Sequence, residues 1–364
     1  MEHDNLVVGE NVKSLFVTLI MFLVCETASS AVLWAGGEDV DFPNGGSSCV
    51  FTGASNFRSS HAREAVSPCA IGGSFSSVFS GGAITSGWIS GRVYYGTLGT
   101  SGHRFFGFGK SGTNYSLWTG TDSNTNYTKL ALYKYDGTTW TKLASEVGVS
   151  LTYTALNRID MQVTNYGASA TVNIYVNGGS SAALSYSGDV TVGGNTNLDR
   201  VAIYCNSGTS CSGIPTYGVY SELIVASSDT RNMSLATLAP NAAGDLNQWT
   251  GSYTDLNETT ISDATVVANG VSGNNFQCNL SNLPTGSYSI QAVKISSRAT
   301  KSETGPTSIA VGVKTNSTVS VPAATSLPVA FQLVETLYST NPVTSSAWTS
   351  TEIDALQINL QIAP

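Results

Sequence analysis

The sequence predicts an all-β protein of two sandwich domains, and three observations carry that expectation. Charged residues are only 11% of the chain, while Gly, Ser, Thr, Asn, Tyr and small apolar residues dominate, a composition suited to strands and tight turns. Short runs alternate apolar with polar residues, as burial of one sheet face requires. The length of 364 residues exceeds one ordinary β-sandwich and suits two, each with enough apolar residues for its own core.

Residues 1–30 stand apart. Within them residues 15–24 form an apolar run, too short to cross a bilayer as a helix and right for a signal-peptide core, with Ala28-Ser29-Ser30-Ala31 as a small-residue cleavage site. Glu2, Asp4 and Glu10 outweigh Lys13 ahead of it, the reverse of the positive start a signal needs. The segment therefore reads either as a signal-like leader or as a non-native extension.

The first domain is expected over residues 31–231. Its run Leu130-Ala131-Leu132-Tyr133-Lys134-Tyr135 ends at Asp136-Gly137, a hairpin signal, and resumes through Trp140. Ile159, Met161 and Val163 alternate with Arg158, Asp160 and Gln162, cross a turn at Asn165-Tyr166-Gly167, and return as residues 170–176 to stop at Asn177-Gly178-Gly179. Residues 198–204 and 217–225 supply two more strands. The character shifts near residues 227–231, and Pro240-Asn241-Ala242-Ala243-Gly244 carries a loop signature, so the second domain is expected over residues 232–364. Its strands fall at residues 286–296, 307–314 and 331–338. A terminal helix is predicted from the capping box Thr349/Glu352 and from Ile353, Leu356 and Leu360 at helical spacing.

Composition also narrows function. With a net charge of −8 and few basic residues, the chain lacks the footprint that displaces counterions from phosphates, so no nucleic-acid partner is expected. No membrane span is expected either. Six cysteines show no CxxC or Cys/His spacing for zinc. Cys205 and Cys211 flank a Gly/Ser loop, and Cys49 with Cys69 brackets the segment after the first strand. Each pair could close a disulfide in an oxidising compartment, or the thiols could be buried and free.

Arg158 to Val163, a turn, then Val172-Asn173-Ile174-Tyr175-Val176-Asn177-Gly178 resembles the back-sheet hairpin of concanavalin A-like and laminin G-like jelly-roll sandwiches. The opening strand Trp34 to Phe42 and the closing stretch Tyr220 to Ala226 with Asp229-Thr230-Arg231 extend the resemblance over residues 31–231. Residues 232–364 resemble the second module of phage minor structural and tail-fibre proteins, through Ala236 to Asn241, Gln248 to Tyr253, Ile261 to Thr265 and Asn341-Pro342-Val343-Thr344. The resemblance implies a concanavalin A-like jelly roll followed by a smaller β-sandwich with a short C-terminal helix. It also implies a virion location, other virion structural proteins as partners and a homo-oligomer. A secreted lectin-like module is the alternative.

Glucanases on such folds set two glutamates and an aspartate on one strand, so that nucleophile and acid share a face. No Glu-x-Asp-x-Glu or Glu-x-Asp-x-x-Glu occurs here, and a divergent glycoside hydrolase is the weakest reading. The nearest segment, Glu38-Asp39-Val40-Asp41, could hold Ca²⁺ through oxygen ligands or be a solvated strand edge; otherwise no cofactor is expected. His61 and His103 lack a nucleophile elbow, and Gly107 to Gly112 lacks phosphate-loop spacing. The expected function is non-enzymatic.

Aromatics are the binding candidates. Tyr94, Tyr95, Tyr115, Trp118, Tyr127, Tyr133, Tyr135 and Trp140 crowd one third of the first domain among Asn and Asp, the mixture that stacks on sugar faces and bonds sugar hydroxyls. At least half belong to the core, since alternate strand residues point inward. Trp118 is singled out as the contact to a host-surface glycan because it borders the polar stretch Thr119 to Asn126, with Tyr115, Asn126 and Tyr127 beside it.

Overall fold

Asp136 and Gly137 make the turn they promise. Gly137 adopts φ +93°, Asp136 Oδ1 accepts from the backbone N–H groups of Thr138 at 2.9 Å and Thr139 at 2.6 Å, and the strand Asn126–Asp136 returns as Trp140–Ser145. The computed structural model describes residues 12–24, 31–36, 41, 49–50, 65–66, 69–70, 74–79, 82–94, 104–113, 115–123, 126–145, 151, 156–204, 219–257, 263–303 and 305–363. The chain forms two units, one of residues 22–235 and one of residues 236–364 together with 1–21.

The first unit is built on two antiparallel sheets. One runs in the order Trp140–Ser145, Asn126–Asp136, Tyr115–Ser123, Arg104–Gly109, Arg200–Tyr204, Ser74–Val78. The other runs Leu184–Gly188, Ala170–Val176, Leu156–Thr164, Gly87–Tyr94, Val219–Ala226, Val32–Gly36, with Ala65–Val66 also paired to Val219–Ala226. The alternation read from the sequence faces inward as expected: Ile89, Val93, Ile159, Met161, Val163, Val172 and Ile174 share one core with Phe106, Phe108, Leu117, Leu130 and Leu132. Gly91 leaves room for that core, because a Cβ there would stand 2.8 Å from the Phe106 ring and 2.7 Å from Leu223. Asn177 at φ +52° and Gly178 at φ +74° turn the chain out of residues 170–176 toward its next partner strand, residues 184–188, the left-handed pair that an Asn-Gly turn supplies at least cost.

In the second unit, one sheet runs Ser234–Leu238, Val12–Val24, Ser289–Lys301, Gln332–Tyr338, with Val267–Asn269 also paired to Val12–Val24. The apolar run of residues 15–24 is thus part of an interior strand. A second sheet runs Pro240–Asn247, Asn275–Leu280, Gln357–Ala363, Ser308–Thr315, Thr318–Ser320, with Thr325–Ser326 on Ser308–Thr315. Thr336 Oγ1 donates to Val311 O at 2.7 Å and ties the two sheets.

Two expectations are corrected here. Pro240 to Gly244 is not a loop but the start of an edge strand, where a proline at the first position needs no ladder N–H and two register shifts absorb the irregular sequence. The terminal helix is only Ser350–Asp354. Its capping box forms as predicted, Glu352 N donating to Thr349 Oγ1 at 3.2 Å and Thr349 N to Glu352 Oε2 at 2.9 Å. Leu360, however, lies in the strand Gln357–Ala363, paired on both sides, with Ile358, Leu360 and Ile362 fully buried. Two complete ladders outweigh the weak helical spacing of three residues.

Candidate functional site

Alternation on the strand Asn126–Asp136 sends Leu130 and Leu132 to the core and Ala131 and Tyr133 to the opposite face of the sheet. There Tyr133 faces Trp118 on one neighbouring strand and Lys142 on the other, and Tyr135 faces Trp140. The result is an aromatic cluster. Tyr135 and Trp140 stack at 4.5 Å with 25° between planes, and Trp140 stands edge-on to Trp118 at 5.8 Å and to Tyr133 at 6.4 Å. Arg104 reaches over from the Arg104–Gly109 strand, its guanidinium carbon 4.5 Å from the Tyr133 centroid and 4.6 Å from that of Trp140.

Exposure divides the cluster. Trp118 is 2% exposed and Tyr133 5%, whereas Tyr135, Trp140 and Arg104 are half-buried and Lys142 is exposed. Trp118 is therefore not the contact that its polar neighbours indicate. The strand Tyr115–Ser123 continues through Thr119 to Thr121, so Trp118 sits mid-strand beneath Trp140, with its indole N–H donated to Ser116 Oγ. Tyr133 OH donates to Thr121 O at 2.8 Å and Tyr135 OH to Gly137 O at 2.8 Å, which fixes both rings. The side chains of Tyr115, Asn126 and Tyr127 lie outside the described residues; their backbones face Asp136, Ser123 and no registered partner respectively.

The other sheet carries a second arginine–aromatic group on its outer face, where the chain's own exit segment closes over Trp88 and leaves Tyr175 half-buried. Trp88 stacks on Tyr175 at 5.4 Å, and the Arg231 guanidinium lies 4.4 Å from the Tyr175 centroid. Beside them Asp160 is fully buried and accepts from Arg158 Nε at 3.2 Å and Thr230 Oγ1 at 2.8 Å. Arg158 also donates to Ser90 Oγ at 2.9 Å and to the carbonyl groups of Thr230 and Met233. Burial pushes the Asp229 carboxyl up, but hydrogen bonds from Arg231 outweigh it and hold it below its ordinary value.

The remaining candidates separate. Asp41 is fully buried, while Glu38 and Asp39 lie outside the described residues; among the described residues no three His, Cys, Asp or Glu side chains group as metal ligands. The backbone pairs Cys49 with Ala70 and Val50 with Cys69, one step out of direct opposition. Cys205, Cys211, His61 and His103 lie outside the described residues. Cys278 is a buried free thiol whose pKa burial pushes up to about 12. Lys110, in the glycine-rich stretch, is held by Asp199 at 2.7 Å and Asn197 at 2.6 Å, a structural use.

No family model and no curated protein matches the chain. Solved structures share its fold class at low similarity. The carbohydrate-binding module CBM66 from Bacillus subtilis is 6% identical over 54% of this chain and 95% of its own, with a TM-score of 0.31. Alginate lyase Aly36B is 12% identical over 55% and 97%, with a TM-score of 0.34. A pentraxin from Limulus polyphemus is 10% identical over 60% and 75%, with a TM-score of 0.28. At these values none of the likenesses bears on function.

Proposed function

We propose that the chain is a non-enzymatic carbohydrate-binding protein of a virion appendage, and that the first unit holds the glycan on the Tyr135–Trp140 pair. The observation that carries the binding role is the half-exposed indole of Trp140, stacked on Tyr135 and backed by the buried Trp118. A ring held on two sides loses little freedom when a sugar face settles on it, so the stacking contribution of about 0.5–1.5 kcal/mol per ring is largely retained. Single-site affinity is weak on this account, and copies arrayed on one particle would raise avidity by roughly 10² to 10⁴. The virion placement is supported by the resemblance of residues 232–364 to the second module of phage structural proteins. The non-enzymatic reading is supported by the absence of a glucanase carboxylate pattern.

A glycan array probed with the multimerised full chain tests the binding role. Wild type should bind, Trp140→Ala should lose the signal, and no binding across host-surface polysaccharides removes the glycan reading. Immunogold labelling of purified particles tests the placement, with label expected on an appendage.

A further inference from the structure

The row of the outer face that contains Tyr135 continues across the sheet as Ser116, Gly109 and Arg200. At about 4.8 Å per strand, Arg200 stands about 14 Å from Tyr135. Alternation fixes its side: Val201 belongs to the core and Ala202 to the aromatic cluster, so Arg200 shares the face of Ala202. Along the row, Ser116 and Gly109 are buried and Arg200 is half-buried. Arg200 Nε is buried and has no hydrogen-bond partner, and the neighbouring Asp199 is committed to Lys110 and Ser111. A guanidinium donor left this way carries a desolvation cost that an oxyanion acceptor would relieve.

Lys129, in alternation with the core residue Leu130, and Lys142, opposite Tyr133, belong to the same face, as does Arg104. This face bears these four cations, in a chain whose net charge is −8. The cations are thus concentrated beside the aromatic pair, against the overall charge.

We infer that the glycan is acidic, a polysaccharide bearing carboxylate or sulfate groups, with a sugar ring on Trp140 and an anionic group met by Arg200. This rests on the glycan reading of the Tyr135–Trp140 pair and names its ligand class. A guanidinium presents a planar fork that matches a carboxylate or sulfate edge, and the separation of the two contacts calls for an oligosaccharide rather than a monosaccharide.

The test is titration of the full chain with three tetrasaccharides: an oligogalacturonate for carboxylate, a carrageenan fragment for sulfate, and neutral cellotetraose. At least one acidic ligand should bind about tenfold tighter than the neutral one and weaken several-fold between about 50 and about 500 mM sodium chloride. Arg200→Gln should remove most of that preference, while Arg200→Lys should keep part of it; unchanged melting temperatures establish that both variants fold. Equal, salt-independent binding of acidic and neutral ligands overturns the acidic assignment and leaves the glycan reading intact. A preference untouched by Arg200→Gln overturns the role of Arg200. Absence of binding to any of the three overturns both readings.

Discussion

Each sheet of the first unit sets an arginine over a pair of aromatic rings on its outer face, and the two groups have opposite fates. On the sheet containing Gly87–Tyr94, Arg231 comes from the exit segment, and its arrival brings residues 229–233 down over Trp88 and Asp160, while Tyr175 stays half-buried. On the sheet containing Asn126–Asp136, Arg104 comes from within the sheet, and Tyr135 and Trp140 stay half-exposed. The same contact therefore serves to fasten the chain in one place and to stiffen an accessible surface in the other. Where the arginine originates, rather than the contact itself, separates a structural cluster from a binding candidate.

Substitutions at the two faces should separate stability from binding. Trp118→Ala empties the buried layer beneath Trp140 and should cost about 3–5 kcal/mol in chemical unfolding, whereas Trp140→Ala should abolish glycan binding at a fraction of that cost. If the two variants destabilise equally, Trp140 is core and the contrast between the faces fails.

Asp160→Ala leaves Arg158 without its buried carboxylate. A loss of about 3 kcal/mol is expected from the urea midpoint, at the lower end for a broken buried pair because Ser90 and two carbonyl groups still hold the guanidinium. Glycan affinity should not change, and a parallel loss of binding would place the ligand on the wrong sheet.

Arg231→Ala should cost about 1 kcal/mol for the lost stacking on Tyr175. Limited proteolysis should then cleave within residues 227–233 faster than in wild type. Unchanged cleavage would show that the exit segment is fastened by Arg158 alone.

The smallest expected effect is on pH dependence. Asp199 and Asp229 are both held below their ordinary value of 3.8: burial raises each, but Lys110 with Ser111, and Arg231, outweigh it. Carboxyls with lowered folded pKa values add stability that is fully present above the unfolded value of about 3.9 and lost as pH falls through the folded value. Stability should therefore decline as pH falls below about 4, and Asp199→Asn with Asp229→Asn should flatten that decline. A decline that keeps its slope in the double variant would assign it to other carboxyls.

Local patterns made much of the fold legible. Asp136-Gly137 and Asn177-Gly178 fix their turns by backbone preference alone, and the period-two alternation of Ile159, Met161 and Val163 assigns their face whatever packs against it. Residues 15–24 were harder to read, because a run apolar at every position but Thr18 fits an interior strand as well as a leader. Leu360 misled because Ile353, Leu356 and Leu360 satisfy a helix only until the strands on either side are known. The site was half legible. The crowd of aromatics from Tyr94 to Trp140 marked the region, but which ring lies uppermost depends on cross-strand register. Trp118 faces Tyr133 from an interior strand while Trp140 lies on the edge strand, and polar sequence neighbours carry no information about that. Arg104 leaves only one trace in the sequence, a lone cation leading the apolar run Phe105-Phe106-Gly107-Phe108.

The indole N–H signals of the tryptophans, followed by NMR during titration with the glycan selected on the array, test the contrast between the two faces most directly. The Trp140 signal should shift in a saturable manner while that of Trp88, sealed beneath residues 229–233, stays in place. A saturable shift at Trp88 with Trp140 unmoved would contradict the account.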